Sequence, residues 1–185
     1  MELLTTRLVL RPWLDTDAPA LYALARDPRV GTAAGWPPHE SEEQSLDILL
    51  NVLRGPEQYA ITLLGSGELI GAIGLLTRDA CGYLEADNEY SVGYWIGVPY
   101  WGCGYAAEAL ERLIEHARDS LGARAIYADH FLDNAQSHRV MEKCGLTPVR
   151  AQSVDVLYPE GKRDVLIMRR DLVRPDLSPN AERPA

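Results

Sequence analysis

At 185 residues, with 46% hydrophobic and 24% charged side chains, the chain is sized for one domain with a real core, and two full domains would be cramped. A formal net charge of −9 argues against a protein that grips nucleic acid by its backbone, and it suits a cationic partner such as an amine or a basic protein tail. The cysteines, Cys81, Cys103 and Cys144, are odd in number and lack C-x-x-C spacing, so neither a disulfide framework nor a metal site is expected.

The chain opens MELLTTRLVL, without a basic segment ahead of a long apolar run, and no later stretch reaches the roughly 18 apolar residues of a membrane span. This predicts a soluble cytoplasmic protein with reduced thiols and no membrane partner. Thr6 to Arg11 sets Leu8 and Leu10 against Arg7, Val9 and Arg11, then stops at Pro12, as an edge strand does. Asp15, Thr16 and Asp17 offer caps to a first helix with Leu21, Leu24 and Ala25 on one face. Gly31 to His39 reads as a Gly/Pro-rich loop carrying Trp36. Ser41 with Gln44 then opens a second helix striped by Leu46, Leu49, Leu50 and Leu53.

Gln58 to Leu64 and Glu68 to Thr77 form a predicted hairpin about Gly65-Ser66-Gly67, and Arg78 to Asp87 a longer connection. In the next stretch, EYSVGYWIGVPYWGCGYAAEALERL from Glu89 to Leu113, Tyr90, Val92, Tyr94 and Ile96 alternate with Glu89, Ser91, Gly93 and Trp95, the period of a strand. From Ala106 to Leu121 the apolar residues recur at helical spacing until Gly122. Ala125 to His130 is a short strand that could pair parallel to the one before it, closing a right-handed βαβ unit. Asn134 to Lys143 is a short helix, Thr147 to Tyr158 and Lys162 to Arg170 a last hairpin, and 174–185 a disordered tail behind a domain of residues 1–173.

Between the central strand and its helix, Gly102, Cys103, Gly104 and Tyr105 put backbone N–H groups with little bulk at the positive end of a helix dipole, a place built for an anion such as phosphate. Gly102, Gly104 and Ala107 also satisfy the dinucleotide fingerprint, with Asp129 following near the end of the next strand. About a hundred residues precede the motif, however, and only hairpin strands follow the next helix, unlike a doubly wound fold. A Walker loop is excluded because no G-x-x-x-x-G-K-[ST] occurs. A glycine-rich helix start without any ligand also stays open at this point.

Taken together, TTRLVLRPW, ELIGAIGL, GYWIGVPYWGCGYAAEAL and DNAQSHRVMEKCGL resemble the GCN5-related N-acetyltransferases, and within them the branch similar to the ribosomal-protein acetyltransferases RimJ and RimL. The resemblance implies a single-domain, mixed and mostly antiparallel sheet of about seven strands with about four helices, splayed open where acetyl-CoA lies. It implies that the backbone of Ile96 and Val98 pairs with the pantetheine arm, and that Gly102, Cys103, Gly104, Tyr105 and Ala106 hold the pyrophosphate. It also sets Asn134, Ser137 and Lys143 beside the cofactor. The family's turn often begins with Gln or Arg where this chain has Pro99, and its frequent Lys between the glycines is Cys103 here. The backbone cradle survives that loss, because it needs N–H groups rather than a side chain.

Acetyl transfer needs a neutral amine, an oxyanion donor and a proton for the departing sulfur. By the resemblance, the Ile96 N–H serves the oxyanion and Ser137, one turn from Asn134, serves the sulfur; the tyrosine used elsewhere in the superfamily falls on Met141. RimJ-like sequences often carry Glu where this chain has Ser91, leaving Glu89 and His130 as candidate bases, and imidazole's ordinary pKa near ~6.5 suits proton transfer. Trp36 and His39, on their loop, and Ser91 are candidates for the acceptor side. The acceptor expected is a protein N-terminus or a small-molecule amine, with the protein a monomer or homodimer. Two other readings remain: a non-catalytic acyl-CoA sensor and a nucleotide-binding module.

Overall fold

The computed structural model describes residues 1–172. It contains strands β1 (Leu3–Leu4), β2 (Leu8–Arg11), β3 (Gln58–Leu63), β4 (Leu69–Leu76), β5 (Glu89–Ile96), β6 (Ala125–Phe131), β7 (Thr147–Leu157) and β8 (Glu160–Asp171). The helices are α1 (Ala18–Ala25), α2 (Pro28–Ala34), α3 (Glu42–Ile48), α4 (Tyr105–Asp119) and α5 (Ala135–Lys143). One eight-stranded sheet runs β1-β2-β3-β4-β5-β6-β8-β7, and β5 with β6 is its parallel pair. The anticipated α/β architecture is present, with one strand and one helix beyond the number expected.

α4 forms because its apolar positions fall on one side of a 3.6-residue repeat, and Ala109, Leu110, Leu113, Ile114 and Ala117 are fully buried against the sheet. They meet Leu8, Leu10, Ile61, Ile73 and Val92; each buried Leu or Ile is worth about 1.5–3 kcal/mol of transfer free energy. On the opposite face, Ala60, Leu69 and Ala72 of the sheet pack with Leu21 and Ala25 of α1, Leu49 just beyond α3, and Trp13. With both faces covered, β5 is held rigidly in the middle.

The sheet comes apart beside β5. Its register with β6 runs Glu89↔Ala125, Tyr90↔Ile126 and Ser91↔Tyr127 and then ends, while β6 continues along β8 as far as Phe131. From Val92 to Ile96, therefore, one edge of β5 faces no strand. Gly97 N–H donates to the Ile70 carbonyl at 2.8 Å, on the β4 side. Alternation along a strand then turns the N–H and C=O groups of Ile96, Tyr94 and Val92 into the gap.

The segment read as a loop from Gly31 is corrected. Asp27 caps a helix there by accepting from the Arg29 N–H at 3.0 Å, Pro28 occupies the first turn, and the helix continues to Ala34 before Gly35 ends it at φ +83°. Gly31 is needed inside that helix for space, since a Cβ would stand 2.4 Å from the Trp36 carbonyl oxygen. The proposed disordered tail, 174–185, lies outside the described residues. The parallel βαβ repeats of a dinucleotide fold are not what surrounds the glycine turn, and that removes the reason to give Asp129 a ribose.

Candidate active site

Two cavities meet at the gap. The first, about 270 Å³, lies on the α4–α5 side and is lined by Tyr94, Ile96, Gly102, Gly104, Tyr105, Ala106, Asn134, Ser137, Arg139 and Lys143, among others. Gly102 and Gly104 have φ of +76° and +81°, in the left-handed region that glycine enters without steric cost. A Cβ on Gly102 would meet nothing within 4 Å, so this glycine serves the backbone turn and keeps the cradle open. Gly104 is the N-cap of α4 and no side chain caps the helix, which leaves the first-turn N–H groups facing the cavity.

Arg139 and Lys143 stand one turn apart on α5, and neither forms an ion pair among the described residues. No carboxylate lines this cavity. A protein of net charge −9 thus holds a cavity bordered by two cations and open backbone donors. That chemistry fits the diphosphate of acetyl-CoA. Sequence reasoning had named Lys143 without Arg139, although their four-residue spacing on one helix was the available signal.

The second cavity, about 420 Å³, opens on the other side and is lined by Trp36, Leu53, Gln58, Ser91, Gly93, Trp95, Asp129, His130 and Phe131, among others. It carries no Lys or Arg. The two cavities share Ala33, Ala34, Tyr94, Trp95, Asn134 and Ser137. At this common wall the Asn134 side chain caps α5 by accepting from the Ser137 N–H at 3.0 Å, and Ser137 Oγ lies 2.8 Å from the Tyr94 hydroxyl. Burial pushes the Tyr94 phenol well above its ordinary value, so it keeps its proton. Tyr94 had been read only as an apolar member of the strand pattern. Its partner lies 43 residues away, and nothing local announces it.

Several expected site residues are placed elsewhere. Glu89 is fully buried at the start of β5, accepting from the N–H groups of Glu85 and Ala86 and from the Arg124 guanidinium at 2.8–3.2 Å. Burial alone would raise its carboxyl, but those donors outweigh it and hold Glu89 below the usual range. It is a structural ion pair outside both cavities.

His130 does reach the second cavity, yet both ring nitrogens are engaged: Nδ1 is 2.8 Å from the Phe131 carbonyl and Nε2 3.0 Å from His138 Nδ1. A carbonyl can only accept, so Nδ1 donates, and neutral His130 spends Nε2 accepting from His138. No lone pair is left for an amine.

His39 is buried behind Trp36 with Nδ1 2.8 Å from Ser45 Oγ, and burial lowers its pKa. Trp36 itself stands edge-on to Trp95 in the cavity wall. Val98 sits in a 3-10 turn, its carbonyl accepting from the Trp101 N–H, so the open strand edge consists of Ile96 and Tyr94 instead. The Ile96 carbonyl accepts from the Trp101 indole, which leaves its N–H for the gap. Cys103 is exposed, and its carbonyl turns outward to Arg7, itself paired with Glu108. Ser91 lines the second cavity with Oγ 2.6 Å from the Tyr83 hydroxyl.

Residues 7–147 match the family model described as acetyltransferase (GNAT) domain. The chain is 30% identical over 147 residues to the uncharacterized N-acetyltransferase YoaA of Bacillus subtilis (strain 168), covering 76% of this chain and 80% of that one. Among solved structures, a GNAT-family acetyltransferase from Bacillus anthracis superposes with TM-score 0.80 at 20% identity over 92% of this chain and 98% of that one. The spermidine N-acetyltransferase of Vibrio cholerae, solved with CoA and spermine, superposes with TM-score 0.73 at 16% identity over 92% and 98%, and that likeness speaks for the fold alone. With three quarters of its length matched by the family model and by a relative at this identity, the chain belongs to the GNAT family of acetyltransferases.

Proposed function

We propose that the protein transfers the acetyl group of acetyl-CoA to a primary amine, either a protein N-terminal α-amine or a small-molecule amine, in the cytoplasm, as one of the RimJ/RimL-like enzymes. The observation that carries this is the change of charge across one wall. The cavity beside the glycine turn is bordered by Arg139 and Lys143 without a carboxylate, while the cavity beyond Tyr94 and Ser137 has Asp129 without Lys or Arg.

Bound acetyl-CoA would supply an activated thioester carbonyl. Gly102, Gly104, the first N–H groups of α4, Arg139 and Lys143 are the residues to hold its diphosphate. The Ile96 N–H, pointing into the gap, is the donor available to a developing oxyanion. Ser137 holds the proton for the departing sulfur: with the Tyr94 phenol donating to Ser137 Oγ, the serine O–H is free to point into the shared wall.

No candidate base is free, since Glu89 is sealed in its ion pair and His130 spends both nitrogens. The acceptor must arrive neutral. At pH 7 about 10% of an α-amine of pKa near 8 is neutral, against about 0.04% of a lysine near 10.4. An amine panel assayed for CoA release at neutral pH tests this: α-amines or other low-pKa amines should lead by about two orders of magnitude. Equal rates on lysine side chains would overturn the reading. The same lack of a free base suits a non-catalytic acyl-CoA sensor, which would bind acetyl-CoA yet release no CoA with any amine.

A further inference from the structure

Asp129 is the one carboxylate lining the acceptor cavity, and it forms no ion pair among the described residues. The Tyr83 hydroxyl donates to its Oδ2 at 2.7 Å, with Ser91 Oγ 2.6 Å away on the other side of that hydroxyl. Tyr83 is steadied in turn by packing on the Tyr127 ring, with centroids 6.0 Å apart. Oδ1 makes no hydrogen bond among the described residues. The carboxylate is therefore fixed by one oxygen and presents the other.

Its position decides what it can bind. Continuing the register Ser91↔Tyr127 by two residues sets Asp129 opposite Gly93, where β5 and β6 part. Ile96, whose N–H is the oxyanion donor, lies three residues further along β5, or about 10 Å at ~3.3 Å per residue. The reach of the aspartate side chain reduces this to roughly 7 Å, still too far to touch the attacking nitrogen.

Gly93 supplies the room between. It sits in a regular strand without positive φ, and an added Cβ would meet nothing within 4 Å, so neither conformation nor packing requires a glycine there. Glycine in a strand interior costs roughly 0.5–1 kcal/mol, which leaves the open space beside Asp129 as its contribution.

We propose that Asp129 docks a second positive charge of the acceptor, roughly 7–10 Å from the reacting nitrogen, and that Gly93 keeps the path between them clear. The acceptor class is then a primary amine carrying another cation at that separation: an α-amine with a cationic side chain ranks first, and a short diamine, whose second charge lowers the pKa of the first amine, is the simplest probe. This rests on the acetyltransferase reading above and names the substrate class of the same site. A single amine that must be neutral to react offers no charge to the exposed Asp129 carboxylate; a second cation does.

The experiment compares α,ω-diamines of increasing length with monoamines of equal length on the full chain at saturating acetyl-CoA. The diamine should be favoured in kcat/KM by about tenfold, the discrimination a charge-assisted hydrogen bond provides, through KM and with an optimum at one length. Asp129→Asn, which retains an oxygen for Tyr83, should bring the ratio close to one without changing the KM for acetyl-CoA. Asp129→Glu should keep the preference and shift its optimum. Gly93→Val should abolish the length optimum while the protein stays as resistant to heat as the wild type.

Acetylation of monoamines and diamines at equal rates by the wild type would overturn this proposal and leave the acetyltransferase reading standing. A ratio unchanged in Asp129→Asn, or a loss confined to kcat, would overturn it as well. If no amine is acetylated, both readings fall together.

Discussion

The hydroxyl pair at the wall between the cavities makes the sharpest prediction. Ser137 Oγ and the Tyr94 hydroxyl are 2.8 Å apart, and the Tyr94 oxygen also lies 3.3 Å from the Ser137 carbonyl. If Ser137 hands the proton to sulfur and Tyr94 only supports it, the two residues are unequal. Ser137→Ala removes the proton donor and should slow turnover by about 100-fold, the lower end of what a positioned acid contributes.

Tyr94→Phe removes one hydrogen bond to the donor, worth about 0.5–1.5 kcal/mol, and should slow turnover by roughly 2–12-fold. The double variant should be no slower than Ser137→Ala alone, because support for an absent group has no effect. The assay is CoA release followed by a thiol reagent, with the KM for acetyl-CoA measured in parallel and expected to hold within a factor of about two. Tyr94→Phe slower than Ser137→Ala would transfer the donor role to the phenol. An unchanged rate in Ser137→Ala would remove the pair from the mechanism.

Gly104→Val should weaken acetyl-CoA binding and lower stability by about 1–2 kcal/mol, since φ of +81° is strained for any side chain although the nearest atom to its Cβ would be Arg7 Nη2 at 3.6 Å. That corresponds to about 2–8 °C in thermal unfolding, and undiminished affinity would count against the cradle. Glu89→Gln should lower stability by about 2 kcal/mol at pH 7 while leaving the pH profile of turnover in place, as for a structural carboxylate. A lost acidic limb in that profile would restore Glu89 as a base.

The pH sign follows from the direction of the shift. A carboxyl held low in the folded state contributes stability that is present above its unfolded pKa, near 4.3, and is lost as pH falls through the folded value. The gap between wild type and Glu89→Gln should therefore close below about pH 4.

What the sequence made legible was whatever repeats locally. The alternation from Glu89 to Ile96, the stripe down α4 and the turn at Gly102 and Gly104 stand within a few residues of one another, and so did the parallel partner strand that follows. β1 is two residues long and leaves no period to detect. The second half of α2 was mistaken for a loop because Gly31 and Gly35, followed by Pro37 and Pro38, are also turn residues; only the approach of Trp36 explains Gly31.

The site proved harder because its roles depend on distant partners. Arg124, 35 residues from Glu89, turns a candidate base into a buried ion pair, and His138 does the same for the second nitrogen of His130. Asp129 was noticed for a nucleotide role and became relevant to an amine only when the splay placed it across from Gly93.

The most direct test of the central claim is an isothermal titration of the purified chain with acetyl-CoA, beside NAD and ATP at the same salt. The account predicts saturable binding of acetyl-CoA, weakened in Gly104→Val, with neither nucleotide competing at equal concentration. Selective binding of NAD or ATP, or none of acetyl-CoA, would contradict it.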